Sequence, residues 1–284
     1  GANDVANAMG TSVGSGALTL KRAIVVAAIF EFTGAVLAGG HVTGTIRKGI
    51  VDPAIFAATP ELLVYGMIAS LLAAAVWLSV ATRLGWPVST THSIVGAIVG
   101  FVCVTAGVSA VQWGKVGEIV ASWVTSPLLA GALGFGIFSL LRKTVIAVDD
   151  PFERTRKAAP ILVFLTTMVL SLVTLWKGLT HLDLNLSALQ TFGVATGFSI
   201  LAAGISIPLV NRIKPNPEAE KEDRYHRMER VFAVLQIYTA CAVAFAHGSN
   251  DTANAIGPMA AAVSVIQSGA VGAKAAVPTW MLVI

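Results

Sequence analysis

Charged side chains are scarce in this sequence. Only 12% of its 284 residues are Asp, Glu, Lys or Arg, whereas 55% are hydrophobic, and the mean hydropathy is +0.78. Because soluble globular domains carry about a quarter charged residues, this composition excludes an ordinary soluble protein. The apolar stretches reach the roughly 20 residues that a helix needs to cross a hydrocarbon core of about 30 Å. The composition therefore predicts an all-α polytopic membrane protein.

Cysteine is scarce as well. Cys103 and Cys241 are the two cysteines of the sequence, and both lie in apolar segments. We interpret them as small buried hydrophobic residues, which excludes a disulfide framework or a metal-binding pair. No cleavable signal peptide is visible. The net charge of +4 is concentrated in two loops, so it indicates membrane orientation and gives no support to nucleic-acid binding.

The apolar segments alternate with polar or charged stretches. Each of two loops, 142–159 and 211–230, holds a cluster of Lys and Arg, and two apolar segments lie between them. The positive-inside rule therefore places both loops in the cytoplasm. Whether residues 86–111 cross the bilayer or form a re-entrant hairpin stays open. The predicted spans are residues 23–40, 62–82, 94–111, 117–141, 160–176, 190–210 and 231–247.

One decapeptide occurs twice. Residues 1–10 read G-A-N-D-V-A-N-A-M-G and residues 248–257 read G-S-N-D-T-A-N-A-I-G, with seven of the ten positions identical. Each copy places one carboxylate and two amides among Gly and Ala, so helices can pack closely or break there. A carboxylate in lipid is costly and usually marks an ion or substrate path. Two copies suggest a duplicated architecture with one site where the halves meet.

The polar groups of the two copies are hard oxygen ligands. They suit a hard cation such as sodium, and the two copies contain no soft ligands of the kind that transition metals prefer. The alternative is that Asn and Asp cap helices or link neighbouring helices, but the repetition favours an ion site, with sodium at Asp4 and Asp251. Glu31, inside an apolar span, either pairs with a cation or carries a proton. The predicted cation ligands are Asp4, Asn7, Glu31, Asp251 and Asn254.

The stretch P-V-S-T-T-H at residues 87–92 predicts a helix start. Proline ends the incoming helix and is accepted at the start of the next one. The hydroxyls of Ser89, Thr90 and Thr91 then fall at a helix N-terminus, where free N–H groups and the helix dipole attract anions. This pocket suits a tetrahedral oxyanion, and because the stretch holds no Lys or Arg, bound cations would supply the positive charge. The alternative is an N-cap whose hydroxyls bond their own backbone.

These three motifs together resemble the inorganic phosphate transporter (PiT) family of sodium- or proton-coupled symporters. The resemblance implies an inverted-repeat secondary transporter with re-entrant helical hairpins that meet near the bilayer midplane. It implies phosphate between the hairpins and cations at the paired Asn-Asp motifs. By this resemblance Asn3 and Asn250 join Ser89, Thr90 and Thr91 as substrate ligands.

The resemblance also divides the chain. We expect a first repeat at residues 1–141, cytoplasmic loops and linking transmembrane helices at 142–230, and the start of a second repeat at 231–284. Family members usually have a helix before the first motif and a second P-x-S-x-T-H stretch after the second one. This chain begins at Gly1 and shows no such stretch before Ile284, so we expect a fragment.

The predicted function is secondary active transport of inorganic phosphate across the plasma (inner) membrane. The expected coupling ion is sodium or a proton, with no further cofactor, no enzymatic activity and no nucleic-acid partner, and a homodimer stays open. One alternative is a permease for sulfate or another tetrahedral oxyanion, and another is a passive anion channel. A third is an intramembrane hydrolase that uses Ser89 and His92, which are i, i+3 on the predicted helix, although no G-x-S-x-G elbow is present. His92 and His247 are otherwise either donors to the site or packed histidines.

Overall fold

The computed structural model describes a helical protein. Apart from turns and one isolated antiparallel bridge between Val51 and Val111, the described residues lie mainly in helices. The structure describes residues 2–39, 50–177, 186–213, 221–271, 277 and 279–283. Within these ranges, only the backbone is described at residues 2–4, 177, 221–224, 279 and 283.

Nine α-helices follow one another along the described ranges. Short 3₁₀ turns at Pro53–Phe56 and Val108–Ala110 and a π turn at Arg142–Ile146 connect some of them. The helices are α1 (Ala2–Gly14), α2 (Leu20–Ala38), α3 (Pro60–Leu84), α4 (Thr90–Ala106), α5 (Trp113–Leu141), α6 (Pro151–Lys177), α7 (Ala188–Asn211), α8 (Lys221–Ser268) and α9 (Thr279–Val283).

Five of these helices are long and apolar enough to cross a membrane, counted over the described residues. They are α3, α5, α6, α7 and α8, so the prediction of an all-α polytopic membrane protein is confirmed. Helix α2 covers most of the predicted span at 23–40, but it is not among the five. Helix α4 has 17 residues and is about 25 Å long, which is shorter than the hydrocarbon core.

The predicted loop at 142–159 is too long, because α6 begins at Pro151. Asp150 accepts a hydrogen bond from the backbone N–H of Glu153 over 3.2 Å, and proline is favourable at the first helical position. The predicted span at 231–247 is also only the middle of a helix. Helix α8 has 48 residues and continues without a break through the second decapeptide.

Helices α2 and α8 cross with their backbones almost in contact. A Cβ atom added at Gly248 would lie 2.0 Å from the carbonyl oxygen of Glu31, and one added at Gly34 would lie 2.0 Å from that of Phe245. Small residues permit such close approach between membrane helices. Of the two behaviours expected for the Gly- and Ala-rich motif, close packing is the one observed at its second copy.

A second contact region joins α3 and α4 to the C-terminal half of α8. Buried residues of α4 pack against α3, and Ala261, Ala262 and Val265 of α8 belong to the same hydrophobic cluster. Gly66 of α3 leaves room for the ring of Phe101, which stacks on Phe56 at a centroid distance of 5.5 Å. This packing brings the second decapeptide close to the start of α4.

Candidate functional site

An open cavity of about 360 Å³ lies where α1, the start of α4 and the middle of α8 meet. It brings together the first decapeptide, the P-V-S-T-T-H stretch and the second decapeptide, which are far apart in the sequence. Among the residues that the structure describes, none of the lining side chains is Lys or Arg. The lining residues are Asn7, Pro87, Val88, Ser89, Thr91, His247 and Asp251.

The P-V-S-T-T-H stretch starts helix α4, as predicted. Helix α3 ends at Gly85, whose φ of 69° is left-handed, and the extended Ser89 caps α4. The Ser89 hydroxyl oxygen accepts a hydrogen bond from the backbone N–H of His92 over 3.3 Å. The capping alternative is therefore observed for Ser89. Because a hydroxyl has one proton besides its two lone pairs, the capping bond leaves the O–H of Ser89 able to donate to a ligand.

Asn254 fixes a second hydroxyl of this stretch. Its side-chain nitrogen donates a hydrogen bond to the Thr91 hydroxyl oxygen over 3.0 Å, and only 5% of its surface is exposed. Thr91 acts as the acceptor, so its own O–H can also donate. The cavity is thus lined by two hydroxyl donors, one held by the backbone of α4 and the other by α8.

His247 lies between two carboxylates. Its Nδ1 atom is 3.3 Å from Oε1 of Glu31, and its Nε2 atom is 3.2 Å from Oδ2 of Asp251. All three side chains are between 21% and 24% exposed. A neutral imidazole has one N–H group, whereas the protonated ring has two and carries a positive charge that can pair with both carboxylates. A cationic His247 would balance part of the negative charge of Glu31 and Asp251 at the edge of the cavity.

The position of His247 also keeps Glu31 and Asp251 apart. Because the imidazole stands between them, the two carboxylates do not converge on a common ion. Within the described ranges, no group of three His, Cys, Asp or Glu side chains is arranged to hold a metal ion. A cation bound here would take oxygen ligands from one carboxylate and its amide or hydroxyl neighbours.

The remaining predicted site residues differ in whether they line this cavity. The backbones of Asn3 and Asp4 lie in α1, but their side chains lie outside the described part of the chain. Thr90 is the first residue of α4 and Asn250 is exposed on α8, and neither lines this cavity. Asn7 and Asp251 line it, while Glu31 and Asn254 each contact one of its lining residues.

The ring of His92 points to another helix. Its centroid lies 3.7 Å from that of Trp123 in α5, and it is the backbone of His92 that bonds Ser89. The hydrolase alternative requires the His92 imidazole as the base for Ser89, and the ring is occupied elsewhere. The sequence analysis missed Trp123, which lies in the middle of a span, and left open whether His247 was a packed residue. Its i, i+4 spacing to Asp251 was the available signal.

A further polar contact joins the two motif-bearing helices. The side-chain nitrogen of Gln236 in α8 donates a hydrogen bond to the hydroxyl oxygen of Thr11 in α1 over 2.8 Å. Both residues lie one or more turns away from the cavity-lining Asn7 and His247 along their helices. This contact was also not predicted, since it joins residues 225 positions apart.

Comparisons with known proteins agree with one another. The model of the phosphate transporter family matches residues 1–284. A protein of Haemophilus influenzae assigned as a phosphate permease is 44% identical over 282 residues, which cover 99% of this chain and 67% of that protein. The chloroplastic inorganic phosphate transporter 2-1 of Arabidopsis thaliana is 40% identical over 301 residues, which cover 99% of this chain and 51% of that protein.

A solved structure of a phosphate transporter also matches this chain. The sodium-dependent phosphate transporter superposes on this chain with a TM-score of 0.90 and 38% sequence identity. The superposition covers 99% of this chain and 68% of that structure. The chain therefore spans about two thirds of the length of the solved structure that it matches.

Proposed function

This chain belongs to the phosphate transporter family, and on that premise we propose that it carries inorganic phosphate across a membrane by ion-coupled secondary transport. Its relatives are transporters and permeases, not enzymes, and it is an integral multi-pass membrane protein. The observation that carries the proposal is the cavity in which two hydroxyl donors and one carboxylate meet, with no Lys or Arg among the lining residues that the structure describes.

The chemistry of the cavity favours phosphate over sulfate. Ser89 and Thr91 can each donate one hydrogen bond to a tetrahedral oxyanion, and the start of α4 supplies the positive end of a helix dipole. Asp251 lines the same cavity and, when ionised, is acceptor only. A phosphate monoanion carries protons that it can donate to this carboxylate, whereas sulfate carries none at neutral pH.

The coupling ion is the second part of the proposal. The similarity to a structure described as sodium-dependent supports sodium, and we assign its ligands to Asp251 and Asn7, with Asp4 as the equivalent carboxylate of the first copy. Glu31 and His247 offer a proton-carrying route beside it, because the imidazole contacts both carboxylates. A bound cation lowers the cost of admitting an anion to a cavity that already holds the Asp251 carboxylate.

The transport cycle follows from this arrangement. The cation binds first, phosphate then docks on the start of α4, and one structural unit moves against the other to expose the site alternately to the two sides. We assign residues 1–141 to one repeat and residues 231–284 to the start of an inverted second one. The positively charged segments within residues 142–159 and 211–230, which include the starts of α6 and α8, face the cytoplasm of a cell whose plasma membrane holds the protein.

The deciding experiment is radiolabelled phosphate uptake into proteoliposomes that hold the protein, with and without an inward sodium gradient at fixed pH. We expect sodium-driven accumulation above equilibrium. Accumulation driven only by a pH gradient would replace sodium by the proton and keep the substrate. Flux without accumulation under either gradient would indicate a passive channel, and accumulation of sulfate without phosphate would contradict the substrate assignment.

A further inference from the structure

Helix α5 stands apart from the rest of the fold. None of its residues is buried, although its neighbour α4 has buried Ile94, Val95, Ile98 and Val102. Its contact with the hydrophobic cluster of α3 and α4 is made by the partly buried Val116, Ile119 and Trp123. These residues are spaced at i, i+3 and i+7, so they form one short face of the helix.

Trp123 is the member of this face that contacts the first turn of α4. Its ring centroid is 3.7 Å from that of His92, with an interplanar angle of 35°. His92 belongs to the first turn of α4, and its backbone N–H donates to the Ser89 hydroxyl oxygen over 3.3 Å. The indole therefore contacts the same turn that presents the hydroxyls of Ser89 and Thr91 to the cavity.

The depth of Trp123 in its helix distinguishes it from an interfacial anchor. Trp113 and Trp176 lie at helix ends and are 50% and 68% exposed, as expected for side chains at the membrane surface. Trp123 is ten residues beyond Trp113, which places it about 15 Å further along the helix axis. At that depth the indole lies away from the helix end, and its ring packs against the ring of His92.

On the proposed function, we propose that Trp123 is a positioning residue for oxyanion binding. The first turn of a helix has no preceding turn to hold its N–H groups, so here it is held by the Ser89 capping bond and by side-chain contacts such as that of Asn254 with Thr91. The indole keeps the His92 ring in place and thereby fixes the direction of the Ser89 and Thr91 hydroxyls. Trp123 does not touch the substrate, so its loss weakens phosphate binding and leaves the coupling ion site intact.

The test measures phosphate uptake by proteoliposomes as a function of phosphate concentration. For Trp123→Leu we expect the KM for phosphate to rise about fivefold, the effect of losing roughly one ring–ring contact. Vmax and the half-saturating sodium concentration stay within about twofold, since the residue acts only on the hydroxyl-bearing turn. Trp123→Phe retains an aromatic ring and should recover most of the affinity. Trp176→Leu, the same substitution at an exposed tryptophan, is the matched control and should leave KM unchanged.

A double-mutant cycle with His92→Leu keeps the inference testable if Trp123→Leu folds poorly in detergent, as judged by gel filtration. If the two rings act as a unit, His92→Leu and Trp123→Met, which also removes the ring, each raise KM alone, and the double variant raises KM no further than either single one. Additive effects, a fall in Vmax at constant KM, or an equal change in Trp176→Leu would overturn the inference. The unchanged protein is assayed first, because its failure to take up phosphate would reject the proposed function rather than the role of Trp123.

Discussion

The side-chain nitrogen of Asn254 donates a hydrogen bond to the hydroxyl oxygen of Thr91 over 3.0 Å, across 163 positions of sequence. One partner belongs to the second decapeptide and the other to the hydroxyl stretch at the start of α4. Because Thr91 accepts from Asn254, its own proton is directed elsewhere, and Thr91 lines the cavity. The contact thus joins two segments that are far apart in the sequence, beside the cavity that Thr91 lines.

Asn254→Ala should raise the KM for phosphate about tenfold, because it removes a buried donor and frees the Thr91 hydroxyl to rotate. Concentration-dependent uptake in proteoliposomes measures this effect. Asn211→Ala is the matched control, since Asn211 is an exposed amide at the end of α7 and does not line the cavity. If Asn254→Ala keeps the normal KM, the hydrogen bond does not orient a substrate ligand.

Asp251→Asn should lower ion-driven phosphate accumulation by at least about tenfold, because it removes a charge from the cavity and from the contact with His247. Gradient-driven uptake at saturating phosphate measures the loss. Asp149→Asn, at an exposed position outside this cavity, should accumulate phosphate normally. The duplication predicts the same loss for Asp4→Asn, and normal accumulation by both motif variants would reject the assignment of the carboxylates.

The start of α4 could be predicted from the sequence because its causes are local. Proline and a hydroxyl cap act within one turn, and both lie inside the P-V-S-T-T-H stretch. The same holds for the polytopic helical fold, since each apolar segment carries its own signal. The duplicated decapeptide also indicated a shared site, and Asn7 and Asp251, one from each copy, line one cavity.

The partners of these residues could not be predicted, because they depend on how distant helices pack. Thr91 meets Asn254 only because α8 joins the hydrophobic cluster of α3 and α4. His247 meets Glu31 only because Gly34 and Gly248 let two backbones approach closely. The contact of Trp123 with His92 could not be predicted from the sequence, since one tryptophan in an apolar span is compatible with a lipid contact as well as a protein contact.

Gly248→Ala should lower the midpoint of thermal unfolding by about 5 °C, because the added Cβ overpacks the α2–α8 contact and forces the helices apart. The new atom would lie 2.0 Å from the backbone carbonyl oxygen of Glu31, which cannot rotate away. Unfolding of the detergent-solubilised protein followed by fluorescence measures the change. Gly193→Ala in α7 meets nothing within 4 Å and should keep or raise the midpoint, so equal losses in both variants would contradict this account.

Linking Thr11 to Gln236 should stop transport reversibly. The hydrogen bond between them spans 2.8 Å and joins α1 to α8, the two helices that carry the decapeptides. If transport requires these helices to change their relative position, a covalent link at this contact holds the protein in one state. The variant is Thr11→Cys with Gln236→Cys, in a background that also carries Cys103→Ser and Cys241→Ser.

A short bifunctional thiol reagent with a reducible linker should lower phosphate accumulation by this protein about tenfold. The link would hold the protein in one conformation, so the second conformation that transport requires would no longer be populated. Reduction of the linker should restore uptake, which separates locking from chemical damage. Each single-cysteine variant, treated identically, should transport normally because it cannot be cross-linked within the molecule. If the linked protein accumulates phosphate at the rate of the unlinked one, α1 and α8 move as one body, and the moving boundary lies between other helices.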